Sequence, residues 1–158
     1  MPGVRCLPLM NLVEQINQHR YIYLTEIGEP DVNVLRIVIA EAKVSGETEE
    51  IDLGAAKITG AYPIVSDETC NSYEIIFASY IAYAVLNESY AGVDEYEKYT
   101  GRYFRVYSQS HFLDYVRVAT FASEDYPGKF AHYEVACLDH IVEVVSVSEP
   151  EISLLRRA

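Results

Sequence analysis

Val34-Leu35-Arg36-Ile37-Val38-Ile39-Ala40-Glu41-Ala42-Lys43-Val44 is the stretch on which the fold turns. Val34, Ile37, Val38, Ile39 and Val44 are β-branched, and such side chains suit a pleated surface better than a helix. An apolar centre with Arg36, Glu41 and Lys43 toward the edges predicts a central strand whose ends reach solvent. Ser45-Gly46-Glu47-Thr48-Glu49-Glu50 then reads as a turn, with Ile51 to Ala61 as the returning strand. On the other side, Gly28-Glu29-Pro30-Asp31 sets three turn-forming residues in four and is expected to break the pattern after a first strand, Tyr21 to Thr25. Ahead of that strand Leu9, Leu12, Val13 and Ile16 recur at helical spacing, with Glu14 and Gln15 on the polar face, so a short helix is expected near 9–19.

Tyr73 to Leu86 fits two templates. As a strand, Tyr73, Ile75, Phe77, Ser79, Ile81, Tyr83 and Val85 share a face; as a helix, Tyr73, Ile76, Phe77, Tyr80, Ile81 and Ala84 form a stripe. The density of Ile, Tyr, Phe and Val favours the strand, and the small Ala78, Ala82 and Ala84 on its other face suit a closely packed helix. Asp94 and Glu97 before Lys98-Tyr99-Thr100-Gly101 predict a brief capped helix, and Arg102 to Tyr107 a strand. Ser110 is the expected N-cap of a clearer helix, with Phe112, Leu113, Val116 and Thr120 on one face and Asp114 in the first turn. Glu124 to Lys129 reads as an exposed turn, and Ala131 to Leu138 and Ile141 to Val147 as a hairpin linked by Asp139-His140. Glu149-Pro150 is expected to end the last strand and leave Arg156 and Arg157 in a free tail. The class is therefore α+β: a strand-dominated antiparallel sheet, partly barrel- or sandwich-like, with two or three short helices. All 158 residues are expected in one domain with short flexible termini.

Composition narrows the function. The chain has 24 acidic and 12 basic residues, a formal charge of −12, and fourteen tyrosines without a tryptophan. Nucleic-acid affinity rests on Lys and Arg neutralising phosphates, so nucleic acid and anionic membranes are disfavoured and a basic partner is favoured. Cys6, Cys70 and Cys137 are odd in number and widely spaced, which indicates a reducing, cytoplasmic setting. Cys137 in Tyr133-Glu134-Val135-Ala136-Cys137-Leu138 reads as a small buried hydrophobe. Pro2, Pro8, Arg5 and the polar run from Glu14 to Arg20 leave no hydrophobic leader core. Ile75 to Asn87, the longest low-charge run, has thirteen residues, short of what about 30 Å of hydrocarbon requires.

Motifs for chemistry are incomplete. His132-Tyr133-Glu134 lacks the P-C-x-x-C that would complete a zinc deaminase, and Cys137 with His140 lacks a second cysteine pair. Neither a nucleophile elbow nor a glycine-rich phosphate loop occurs, and Asp31-Val32-Asn33 lacks the rest of a calcium loop, so no metal and no cofactor is expected. His132 and Glu134 share a strand face and form a general-base pair on one reading; the favoured reading is the solvated face of an edge strand. Two segments remain as binding candidates. One is the acidic run Glu47, Glu49, Glu50 and Asp52; the other interleaves acids and phenols at Glu88, Tyr90, Asp94, Glu95, Tyr96 and Glu97.

In size, acidity and tyrosine content the chain is similar to the broad class of small intracellular inhibitor or immunity proteins that neutralise basic nuclease toxins. That likeness and the acidic segments imply a protein-binding domain docking on a basic partner, and an enzyme is the less favoured reading. The alternative is a small-molecule or carbohydrate-binding domain, hydrolytic in one version, with a cleft lined by Tyr80, Tyr83, Tyr103 and Tyr107 and Glu88 or His132 as polar groups. Homo-oligomerisation through exposed strand edges is a third reading.

Overall fold

The computed structural model describes residues 10–155; Arg5, Cys6, Leu9 and the tail arginines Arg156 and Arg157 lie outside them. The elements are α1 (Leu12–Gln18), β1 (Tyr21–Asp31), β2 (Val34–Val44), β3 (Glu49–Asp52), β4 (Lys57–Ala61), β5 (Ile64–Val65) and β6 (Ser72–Phe77). They continue with β7 (Tyr80–Asn87), β8 (Lys98–Thr100), β9 (Phe104–Gln109), α2 (His111–Ala119), β10 (Ala131–Ala136), β11 (His140–Ser146) and β12 (Glu151–Leu155).

β2 is central, as its composition predicts. It pairs with β1 and β6 along its length and with β5 at its C-terminal end, in a sheet of order β1-β2-β6-β12. A second sheet has the order β7-β11-β10-β9-β8, and β3 and β4 form a separate hairpin. All these pairings are antiparallel, so the fold is α+β and strand-dominated. The two large sheets face each other across one core: Leu35, Ile37, Ile39, Tyr73, Ile75 and Phe77 meet Phe104, Tyr133, Val135, Val142 and Val144. Phe77 and Tyr133 touch with ring centroids 5.5 Å apart. Because strand side chains alternate, this core consumes one face of each sheet and leaves the other to be covered separately.

The two α-helices follow local chemistry. Asn11 Oδ1 accepts the Glu14 amide at 2.8 Å and Glu14 accepts the Asn11 amide at 3.2 Å, a reciprocal cap that starts α1. Ser110 caps α2 by accepting the Leu113 amide at 3.0 Å. α2 lies on the outer face of the second sheet, where Leu113 and Val116 pack on Val145, Ile81 and Ala82. Of the three alanines expected under a helix, Ala82, the cross-strand partner of Val145, belongs to this cluster, whereas Ala78 and Ala84 do not.

Several expected elements differ. β1 runs on through Gly28-Glu29-Pro30-Asp31, since Pro30 sits on an edge strand at a register irregularity and removes no needed donor. The turn falls instead on Val32-Asn33, with Asn33 at φ 61° and Asp31 Oδ1 accepting the Val32 amide at 2.7 Å. The return expected over Ile51 to Ala61 breaks at Gly54, where Asp52 Oδ1 takes the Gly54 amide at 2.8 Å and the chain doubles back as β4. Tyr73 to Leu86 is not one strand. It turns at Ala78-Ser79 and contributes β6 to one sheet and β7 to the other.

The helix expected at Asp94–Lys98 does not form. Asp94 Oδ1 accepts the Tyr96 and Glu97 amides at 2.9 and 3.2 Å as a cap would, but the chain extends directly into β8, and so short a helix gains too few bonds to offset nucleation. A 3-10 turn lies earlier, at Glu88–Tyr90. The last hairpin turns on Leu138-Asp139, with the Cys137 amide donating to the His140 carbonyl at 2.8 Å. Beyond Pro150 the chain forms β12, which pairs with β6.

Asn17 ties α1 to the second sheet. Its Oδ1 accepts the amides of Arg102, Tyr103 and Phe104 at 3.0, 2.8 and 2.9 Å, and its Nδ2 donates to the Phe104 carbonyl at 3.3 Å. Gly101, at φ 95°, permits this turn, because a Cβ there would collide with the Phe104 carbonyl. Asn17→Ala leaves three amides without their acceptor and is expected to cost about 2–4 kcal/mol, read as a lower urea midpoint at unchanged slope.

Candidate functional site

The register of the second sheet decides what its outer face carries. His132 pairs with Val145 and Tyr107, Glu134 with Glu143 and Arg105, and Ala136 with Ile141, so these side chains alternate with the core residues Tyr133, Val135, Val142 and Val144. α2 covers one end of that face. Over the other end opens a cleft of about 840 Å³, walled by the segment from Glu88 to Glu97, by Tyr99 of β8, and by His111, Phe112 and Tyr115 of α2.

Charge on the cleft floor is unevenly matched. Glu134, only 4% exposed, accepts from Arg105 Nη1 at 2.8 Å and from the Tyr107 hydroxyl at 2.7 Å. Burial raises its pKa, while Tyr107 and Arg105 oppose the rise. Arg105 also lies over the Tyr99 ring, 4.5 Å from its centroid. Glu143 stands directly opposite Glu134 on β11 and has no hydrogen-bond or ion-pair partner for its carboxylate among the described residues. Burial, with Glu134 and Glu97 nearby, pushes it up to about 7.

His132 lies behind the floor. It is fully buried, stacked on Tyr107 at 4.4 Å, and its Nδ1 shares a hydrogen bond with the Ser110 hydroxyl at 2.7 Å. Burial lowers its pKa to about 4, which keeps it neutral. β10 is an interior strand of its sheet, so the expectation of a solvated edge for His132 and Glu134 is corrected: both point outward, but α2 and the cleft walls cover them.

The sequence-predicted residues divide between two places. Glu88, Asp94 and Glu97 line the cleft, where His111 Nε2 donates to Asp94 at 2.5 Å and the His111 amide to Glu97 at 3.2 Å. That bond holds Asp94 below the usual carboxylate range and raises His111. Tyr96 stacks on His111 at 4.7 Å and donates to Asp114, Tyr90 stands almost free in solvent, and Glu95 is exposed. Glu47, Glu49, Glu50 and Asp52 lie apart on the β3–β4 hairpin and the loop before it, with Glu50 paired to Lys57 at 2.8 Å.

The expected tyrosine set also splits. Tyr103 and Tyr107 line the cleft, joined by Tyr21, Tyr99 and Tyr115, whereas Tyr80 and Tyr83 meet edge to face at 5.0 Å and pack against the core. Glu143 and Arg105 were missed by sequence reasoning. Their signal is a single charged residue inside an apolar strand, as in Ile141-Val142-Glu143-Val144-Val145.

Cys70 and Cys137 are buried and free, and burial pushes the Cys137 thiol up, as befits a small hydrophobe. Among the described residues no group of three His, Cys, Asp or Glu side chains is placed to hold a metal ion, and no described helix is long and apolar enough to cross a membrane. The chain matches no protein-family model, no curated protein and no solved structure.

The raised pKa of Glu143 has a consequence for stability. Between its ordinary 4.5 and about 7 the unfolded chain releases a proton that the folded chain retains, so stability falls as pH rises through that window. Glu143→Gln is expected to stabilise the protein by about 1–3 kcal/mol above pH 7. The gain should vanish near pH 4.5, as read from urea denaturation across that range.

Proposed function

We propose that the protein is an acidic protein-binding domain that docks on a basic partner protein, in the manner of an inhibitor or immunity protein, with the cleft as the centre of the contact. The observation that carries this reading is the composition of the cleft: five carboxylates, Glu88, Asp94, Glu97, Glu134 and Glu143, against Arg102 and Arg105, within tyrosine walls. Tyrosine offers wide contact at small entropic cost, and carboxylates accept the forks of arginine. Among the lining residues Val93, 99% exposed, and Tyr115, 61%, form an apolar rim of the kind that surrounds buried anchors at interfaces. The net charge of −12 steers a basic partner toward it. Free, buried Cys70 and Cys137 support a cytoplasmic setting.

A second reading, a small-molecule or carbohydrate site with hydrolytic activity, draws on the cleft volume of about 840 Å³ and on the facing Glu134 and Glu143. The exposed rim and the charge favour the protein partner. Turnover of aryl glycosides that disappears in Glu143→Gln would reverse that order.

The test compares two surface variants as baits in a lysate of the source cells. Wild type is expected to retain a basic protein at low salt and release it as salt rises. Glu88→Lys with Val93→Ser and Tyr115→Ala should weaken retention at least about tenfold, roughly 1.4 kcal/mol. Glu49→Lys with Glu50→Lys on the hairpin should leave it within about twofold. Retention by the cleft variant, or loss in the hairpin variant, refutes docking at the cleft.

A further inference from the structure

We propose that the cleft is a receptacle for a guanidinium group: an arginine side chain of the partner enters it, lays its stem on Leu86 and Ile141, and sets its head between Glu143 and Glu97. The inference rests on the docking reading and names the group that the cleft selects.

Its basis is a repeated motif on the sheet surface. Glu134 already has a guanidinium, because Arg105 reaches it at 2.8 Å while lying over Tyr99 at 4.5 Å. Glu143 is the cross-strand neighbour of Glu134 and carries the same carboxylate on the same floor, yet among the described residues no cation answers it. Its partner on β7 is Ala84, which adds no polar group and little bulk. Glu97 lines the wall of the same cleft, where it accepts the His111 amide at 3.2 Å.

The surroundings favour arginine over lysine. A guanidinium is planar, gives up hydration more readily than an ammonium, donates to two carboxylates at once and stacks on aromatic rings. Tyr99, Tyr107 and Tyr115 supply rings about the floor, and Leu86 and Ile141, paired in register beside it, supply an apolar bed for the methylene stem. Arg102 over Tyr103, at 4.6 Å, shows the same stacking at the cleft's edge. A neutral ligand of similar shape would leave Glu143 unanswered.

Calorimetric titration of the full chain with the α-N-acetyl amides of arginine, citrulline and lysine tests this. The arginine amide is expected to bind at least about tenfold tighter than either of the others. Glu143→Gln, whose fold is checked by circular dichroism, should weaken it at least about tenfold, while Glu50→Gln on the hairpin should change nothing. Equal binding of citrulline removes the charge requirement, equal binding of lysine removes the guanidinium, and either overturns the proposal, as does unchanged affinity in Glu143→Gln. If the arginine amide fails to bind while the cleft variant of Glu88, Val93 and Tyr115 still loses the partner, docking stands and the receptacle falls. If that cleft variant keeps the partner, the docking reading itself falls.

Discussion

The structure depends on the burial of one face of each large sheet against the other. Ile37, Ile39, Tyr73, Ile75 and Phe77 from the first sheet and Tyr133, Val135, Val142 and Val144 from the second are fully or almost fully removed from water. Each such side chain contributes about 1.5–3 kcal/mol of transfer free energy, so no competing register that exposes them is tolerable. Alternation then dictates the rest. With Tyr133 and Val135 inward, His132 and Glu134 must face outward, and the outer face needs its own cover.

That cover is divided, and the division creates the cleft. α2 seals the end near Val145 with Leu113 and Val116, which encloses His132 and forces it neutral. The other end is roofed only partly, by the segment from Glu88 to Glu97 and by β8, so acids held in a half-dry space face one another without enough cations. Glu134 is matched by Arg105 and Tyr107, whereas Glu143 stays protonated more readily because burial and like charges penalise its ionised form. Such an arrangement weakens the folded state at neutral pH. Perturbed carboxylates of this kind concentrate at binding and catalytic sites.

Elements whose cause is local were legible in the sequence. β2 is marked by its β-branched run, α2 by Ser110 and the spacing of Leu113 and Val116, and the capped start of α1 by Asn11 and Glu14. Elements decided by distant partners were not. Tyr73 to Leu86 keeps one apolar face broken by Ser79 alone, yet β6 answers Leu35, Ile37 and Ile39 while β7 answers Val142 and Val144, and those partners require the turn at Ala78-Ser79. Half of the acid–tyrosine segment, Glu88, Asp94 and Glu97, was found on the cleft, because exposed acids among turn residues are visible without knowing the fold. Glu134 stands out in the sequence beside His132, whereas Glu143 does not, since its meaning lies in the strand opposite.

The sequence by itself determined the class of fold, the central strand, the main helix and an acidic, tyrosine-rich composition, because propensity, capping and net charge are properties of neighbouring residues or of their sum. Tertiary structure alone decided that the chain divides between two sheets, that Tyr80 and Tyr83 serve the core while Tyr99, Tyr107 and Tyr115 serve the cleft, and that Glu134 and Glu143 meet. The reason is register: pairing across strands brings together residues separated in the chain, and which carboxylate gains a cation depends on what the neighbouring strand presents.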